Sequence, residues 1–207
     1  MNHEKNTVKK MKDCKRCRWV TDDEIYITYH DKEWGVPIYD DQKLFEFLIL
    51  EGAQAGLSWI TVLKKRENYR ACFDNFSIEK VARYTPAKMQ KLLMNPGIIR
   101  NRLKVNAAVI NAKAVLAVKK EWGSFAKYIW HFVDNKPIQN RRQGLDIPAT
   151  TDVSDALSKD LKKRGFKFIG STICYAFMQA VGMVNDHAID CFRHQPLKIN
   201  NKIKELS

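Results

Sequence analysis

Apolar residues recur along this chain at intervals of three and four for most of its length, a spacing that predicts helices rather than strands. Leu44, Phe45 and Leu48 carry one such stripe, with Asp41 placed to cap its start. Glu51 falls on the same stripe, between Leu48 and Ala55, so the pattern turns a carboxylate toward the interior. Ser58 is expected to cap a second helix running from Trp59 to about Tyr69, and Ser77 to open a short third. Thr85-Pro86 reads as a cap followed by proline at the first helical position; that helix carries Met89, Leu92 and Leu93 and ends at Asn95-Pro96-Gly97. A long helix bears Val105, Val109, Ala112 and Leu116, and Ser124 starts another through Phe125, Ile129 and Phe132. Residues 134–150 read as a loop. Ser154 opens a helix through Leu157 and Leu161 that stops at Gly165, and Thr172 to Gly182 forms the last. No segment sustains the alternation of a strand. The expected fold is all-α, a single unit over 17–195 made of two packed helical lobes, one from both ends of the chain and one from its middle.

Charge adds a partner class. Thirty-six basic residues against 23 acidic give a net charge of +13. The lysine-rich stretches 1–16 and 196–207, read as basic tails, hold only part of that excess. A basic body favours a polyanion, nucleic acid before membrane. No apolar run approaches the ~20 residues needed to span a bilayer. Met1 to Arg16 lacks the apolar core of a signal peptide, so a cytoplasmic protein is expected. Five cysteines, an odd number, argue against a disulfide framework there. No oligomerisation surface stands out, and a monomer is the default.

Three groups of residues carry candidate chemistry. His187 and Cys191, four apart, suit one face of a helical turn and a shared zinc, which needs two more ligands to close a tetrahedral site. Cys17 is available near the other end of the chain, and Cys14, of Cys14-Lys15-Arg16-Cys17, competes with His30 for the last place. Tyr26, Tyr29 and Trp34, with Trp59 further on, are aromatics near the inward-facing Glu51; such a cluster serves either as plain core or as a stack for a flat heterocycle. Glu51 runs into Gly52-Ala53-Gln54-Ala55-Gly56-Leu57, where small residues allow close backbone approach. Finally, Lys162 to Thr172 reads as helix, tight glycine turn, helix, and its lysines surround a point at which backbone N–H groups converge, as phosphate binding requires.

The stretches Tyr29 to Pro37 (YHDKEWGVP), Glu51 to Arg66 (EGAQAGLSWITVLKKR), Gly97 to Arg102 (GIIRNR) and Lys163 to Cys174 (KRGFKFIGSTIC) together resemble the DNA-3-methyladenine glycosylase I family of the helix-hairpin-helix glycosylase superfamily. The resemblance runs in order from Cys17 to about Cys191. It implies a two-lobed helical fold with a structural zinc held by Cys17, His30, His187 and Cys191, and so takes His30 over Cys14. It implies that Glu51 reads the edge of the damaged base, that Tyr26, Tyr29 and Trp59 form the base pocket with Trp34 beside them, and that Gly56 and Leu57 probe the duplex. Phe168-Ile169-Gly170 takes the place of the hairpin, with Lys167 beside it on the DNA. In most of the superfamily a catalytic aspartate follows the hairpin; Asn185 stands there instead, and members of this family are similar in lacking it.

The implied partner is double-stranded DNA bearing alkylated bases, and the implied reaction is hydrolysis of the N-glycosidic bond of 3-methyladenine. Two other readings are a zinc-clamped DNA binder without catalysis, which would have no need of a buried acid, and a zinc hydrolase of small molecules, which would need an open metal position and leave the basic turn unexplained.

Overall fold

The computed structural model describes residues 14–144 and 146–199, so most of the two lysine-rich ends lies outside the described residues. The chain runs α1 (Glu24–Lys32), α2 (Asp41–Gln54), α3 (Trp59–Leu63), α4 (Arg66–Cys72), α5 (Ile78–Ala82), α6 (Pro86–Met94), α7 (Arg102–Trp122), α8 (Phe125–Trp130), a strand β1 (Ile138–Gln139), α9 (Asp152–Lys163), α10 (Ser171–Ala180), β2 (Val184–Asn185) and α11 (His194–Ile199). The expectation of an essentially helical protein is met. The described residues depart from it in a parallel pairing of Ile138 with Val184 and Gln139 with Asn185 and a single parallel bridge between Arg142 and Ala188, all too short for any periodicity to reach.

The organising element is α2. Its residues from Leu44 to Ala53 are buried without interruption, which marks a helix packed on all sides. It lies against α3, α7, α8 and α10. One buried network of charge ties it to α4: Glu46 accepts from Arg66 Nε at 2.6 Å and from Arg70 Nε at 3.0 Å, while Arg66 reaches on to Glu33. Arg66 also lies over the ring of Phe47, 4.9 Å from its centroid. These partners together hold the Glu46 carboxyl below its usual range against the opposing effect of its burial.

Several caps agree with expectation. Thr85 accepts from Lys88 N with Pro86 at the first helical position, and Ser124 accepts from Lys127 N. Others differ for local reasons. Asp40, not Asp41, caps α2, and Asp41 instead takes Ala126 N of α8. Thr151 caps α9, with Ser154 as the returning partner of a capping box. The helix expected from Trp59 to Tyr69 is two, broken at Lys64-Lys65. Just outside 17–195, Arg16 is bonded to Asp31, and Leu197 of α11 is buried.

Candidate active site

The two ends of the chain meet at four buried side chains, Cys17, His30, His187 and Cys191, whose ligand atoms all lie within 4.8 Å of one another. His187 Nδ1 is 3.6 Å from Cys17 Sγ and 3.5 Å from Cys191 Sγ, and His30 Nε2 is 3.5 Å from Cys191 Sγ. A tetrahedral zinc, with Zn–S about 2.3 Å and Zn–N about 2.0–2.1 Å, sets sulfur and nitrogen about 3.5 Å apart. The outer hydrogen bonds orient the rings for such an ion. His30 Nδ1 faces Asp31 Oδ1 at 2.7 Å, and that carboxylate is itself gripped by Arg16 Nε and Nη2. His187 Nε2 faces the Trp34 carbonyl at 3.1 Å. A carbonyl and an ionised carboxylate only accept, so these nitrogens carry the protons, and the lone pairs of His30 Nε2 and His187 Nδ1 both point at the sulfurs. A hydrogen bond from the Cys17 thiol draws the Cys191 thiol far down, toward thiolate, against the opposing effect of burial. The four residues fit a closed metal site. Cys14 is not one of them, and His187 to Cys191 form a tight turn, closed by Cys191 N on Ala188 O, rather than the expected helical turn.

Against this knot stands a cavity of about 250 Å³ lined by Trp19, Tyr26, Tyr29, Trp34, Glu51, Gln54, Trp59, Ile147, Ala176 and Gln179. Trp34 serves both sites: its ring meets the cavity and packs edge-on against His187 with centroids 4.5 Å apart. Tyr29 and Trp59 face each other at 5.4 Å across one wall. Trp19, which the sequence patterns did not single out, packs edge-on against Tyr26 and Trp34 at 5.1 and 5.0 Å. All four expected aromatics and Glu51 are therefore brought together, while Trp19, Gln54, Ile147, Ala176 and Gln179 are added. Gln54 lies one helical turn from Glu51 within the stretch already singled out, while Trp19, Ile147, Ala176 and Gln179 sit in no local pattern that announces them.

Glu51 is the acid of this cavity. It is 4% exposed and makes no hydrogen bond to the described residues. Burial alone pushes its pKa up to about 8. An empty cavity at neutral pH therefore holds Glu51 as a neutral acid, and a cation entering it would draw the carboxylate out. The Tyr26 and Tyr29 phenols are also raised, chiefly by burial, and stay protonated donors.

Beyond Glu51 the α2 helix ends in a projecting loop. Gly56 takes a left-handed φ of +78°, and Leu57 is 42% exposed. Lys104 of α7 fixes the loop's root by donating to the carbonyls of Ala53 and Ala55 at 2.8 and 2.7 Å. Gly52 allows another element in: a Cβ there would stand 3.4 Å from Phe168 of the turn between α9 and α10.

That turn departs in detail from a glycine hairpin. Gly165 is left-handed, with φ of +88°, but at the tip it is Phe168, not Gly170, that takes a positive φ, of +53°. Ile169 is buried, and its carbonyl accepts from Ser158 Oγ at 2.7 Å. Asn111 of α7 clamps the backbone of Lys167 on both sides, accepting from its N–H at 2.7 Å and donating to its carbonyl at 2.9 Å. Replacing Asn111 with Ala leaves both backbone groups without partners, and urea unfolding is expected to show a loss of about 1–3 kcal/mol. Gly170 is the N-cap of α10 and has no side chain to cap it with, and the Ser171 hydroxyl is turned to Ser154 and Asp155. The first N–H groups of α10 thus stay available beside exposed Lys162, Lys163 and Lys167.

The two polar residues that follow Val184, Asn185 and Asp186, are both fully engaged. Asn185 donates to Gln139 Oε1 and the His194 carbonyl and accepts from His187 N. Asp186, wholly buried, accepts from Asn140, Arg142, Tyr175 and Gln179.

The described residues thus combine an acid buried in an aromatic cavity with a basic turn at a helix N-terminus on an essentially helical frame. The chain belongs to the methyladenine glycosylase family, whose model matches residues 19–194. It is 55% identical over 177 residues to DNA-3-methyladenine glycosylase 1 of Escherichia coli (strain K12), covering 85% of this chain and 95% of that protein. A crystal structure of 3-methyladenine DNA glycosylase I superposes with a TM-score of 0.85 at 57% identity, covering 87% of this chain and all of the other. A second such glycosylase, a tyrosine-to-phenylalanine variant solved in complex with 3-methyladenine, superposes at 0.84 with 39% identity, covering 86% and 97%. Among the described residues no helix is long and apolar enough to cross a membrane.

Proposed function

We propose that this protein excises 3-methyladenine from alkylated duplex DNA by hydrolysing its N-glycosidic bond, and that it leaves an abasic site without cutting the strand. The observation that carries the reading is Glu51, buried and without a hydrogen-bond partner among the described residues, in a cavity walled by Tyr26, Tyr29, Trp34 and Trp59. Methylation at N3 makes adenine in DNA cationic and turns it into a good leaving group. The protein then has no need to protonate the base, which agrees with the occupied states of Asn185 and Asp186. Its work is to take the nucleotide out of the stack, sandwich the base and stabilise the sugar cation as the bond breaks. The pair of bonding electrons goes to the base, which departs neutral, and water adds to the sugar with loss of a proton. Glu51 accepts from the exocyclic amino group and complements the positive charge, acting through position and field rather than as a strong acid. A neutral adenine leaves poorly from such a site, so weak chemistry adds selectivity.

The turn Lys167-Phe168-Ile169-Gly170 serves as the hairpin of a helix-hairpin-helix motif, binding the DNA backbone through the α10 N-terminus. Gly56 and Leu57 enter the duplex at the gap. Cys17, His30, His187 and Cys191 hold a structural zinc; with four protein ligands it leaves no position for a reacting water, which disfavours a zinc hydrolase. In this reading the protein acts as a cytoplasmic monomer.

Methylated duplex incubated with the protein should yield strands that break on alkaline treatment but not before it. Strands that survive alkali would contradict the proposal, and breakage without alkali would contradict the absence of lyase activity. Lys167→Ala should weaken binding to damaged and undamaged duplex alike and reduce the slope of log affinity against log salt by about one. A loss confined to damaged DNA would remove Lys167 from the backbone contact.

A further inference from the structure

Gln179 is a cavity-lining residue whose amide can present only one of its two ends, and the reason lies in a chain of donors behind it. Arg142 Nη2 donates to the Tyr175 hydroxyl oxygen at 2.8 Å, and a guanidinium has no acceptor to offer in return. The single proton of Tyr175 must therefore go to Asp186 Oδ2, 2.6 Å away. Asp186 Oδ1 is taken by two further donors, Asn140 Nδ2 at 2.6 Å and Arg142 Nε at 3.0 Å. Every partner of Asp186 thus donates to it, and the Gln179 amide, 2.8 Å from Oδ2, must do so through Nε2. Its Oε1 makes no hydrogen bond to the described residues and is the amide atom left for whatever fills the cavity. Gln54, the other amide of the lining, has no such anchor among the described residues and can offer either end.

Resting on the glycosylase reading above, we propose that Gln179 is a specificity-determining residue: its Oε1, locked as an acceptor by Asp186, pairs with Glu51 in selecting purines that carry a 6-amino group over those that carry a 6-oxo group. An amino group at position 6 offers its two protons to the acceptor oxygens of Glu51 and Gln179. An oxo group at the same place turns a lone pair toward a fixed carbonyl oxygen, and the amide cannot rotate to welcome it without parting Nε2 from a buried carboxylate. Rejection by a fixed polar group of the wrong sense is the strongest form of discrimination a pocket can build. No local pattern hints at this arrangement, since Asn140, Arg142, Tyr175, Gln179 and Asp186 converge from three separate segments.

The test compares release of 3-methyladenine and 3-methylguanine from alkylated duplex by the wild type and by Gln179→Met, which keeps the length of the side chain and loses the amide. Release of 3-methyladenine should fall about ten- to hundredfold, with 3-methylguanine release much less affected, so that the ratio of the two rates narrows. Equal loss for both bases, or no loss, would overturn the proposal, since a merely structural Gln179 would lower both together. A second measurement needs no variant: quenching of the cavity tryptophans Trp19, Trp34 and Trp59 in the wild type by each free base. Preferential quenching by the 6-amino base supports the assignment, and equal quenching by both contradicts it. If the wild type releases neither base from DNA, it is the glycosylase reading that fails, not the role of Gln179.

Discussion

Glu51→Gln should lower the rate of base release about 10²–10³-fold, the usual effect of losing one preorganised electrostatic contact to a developing charge. The substitution is nearly isosteric and keeps an amide oxygen to face the base, so what it removes is the negative charge. Affinity for the lesion should fall with the rate, because the cation is present before the bond breaks. Stability should move the other way. The raised pKa means that the folded protein keeps the Glu51 proton, which the unfolded chain loses near the ordinary carboxylate value. Between roughly pH 4.5 and the folded value of about 8, the native state binds more protons, so stability falls as pH rises through that window. The amide of the variant has nothing to ionise, and the gain from the substitution in melting experiments should grow from pH 5 to pH 8. Lesion binding in the wild type has the opposite slope: it needs the carboxylate and should strengthen with pH up to about 8. An unchanged excision rate in Glu51→Gln would remove the residue from the mechanism.

The second large effect concerns the metal knot. Cys191→Ser, or exhaustive chelation, should cost roughly 3–5 kcal/mol, which for a chain of this size lowers the melting temperature by about 10 °C. Four buried polar groups would be left facing one another with no cation between them. The loss should appear first as instability and only then as altered chemistry, because the knot touches the cavity through Trp34 and through Tyr29, which precedes His30 on α1. Zinc content by elemental analysis should drop from one per chain toward zero in the variant. A protein that melts unchanged after complete metal removal would contradict the structural role.

Much of the helical frame was legible because its signals are local. Thr85 and Ser124 cap the helices they precede, and Asn95-Pro96-Gly97 ends one. Errors arose where two neighbours could serve equally. Asp40 and Asp41 both suit a cap, and the choice turned on Asp41 being needed by Ala126, far along the chain. Lys64-Lys65 breaks a helix that carries no glycine or proline to announce it. Within the site, Glu51 and the four expected aromatics meet at one cavity and Cys17, His30, His187 and Cys191 at one cluster, but most of the second rank follows from no pattern. Trp19, Ile147, Ala176 and Gln179 reach the cavity only through the tertiary fold, and Asp31 and Trp34 orient His30 and His187 by contacts no spacing encodes. His187 and Cys191 do bring their side chains together, but across a tight turn rather than a helical one, since two side chains four apart can meet either way.

The most direct test of the central claim is the identity of the base set free from DNA treated with a methylating agent, separated by chromatography after incubation with the protein. Free 3-methyladenine, with 7-methylguanine left in the duplex, is the result expected of a cavity that binds a cationic, amino-bearing base and supplies no strong acid. Release of no base at all, alongside tight binding to the methylated duplex, would make this protein a lesion binder and contradict the account.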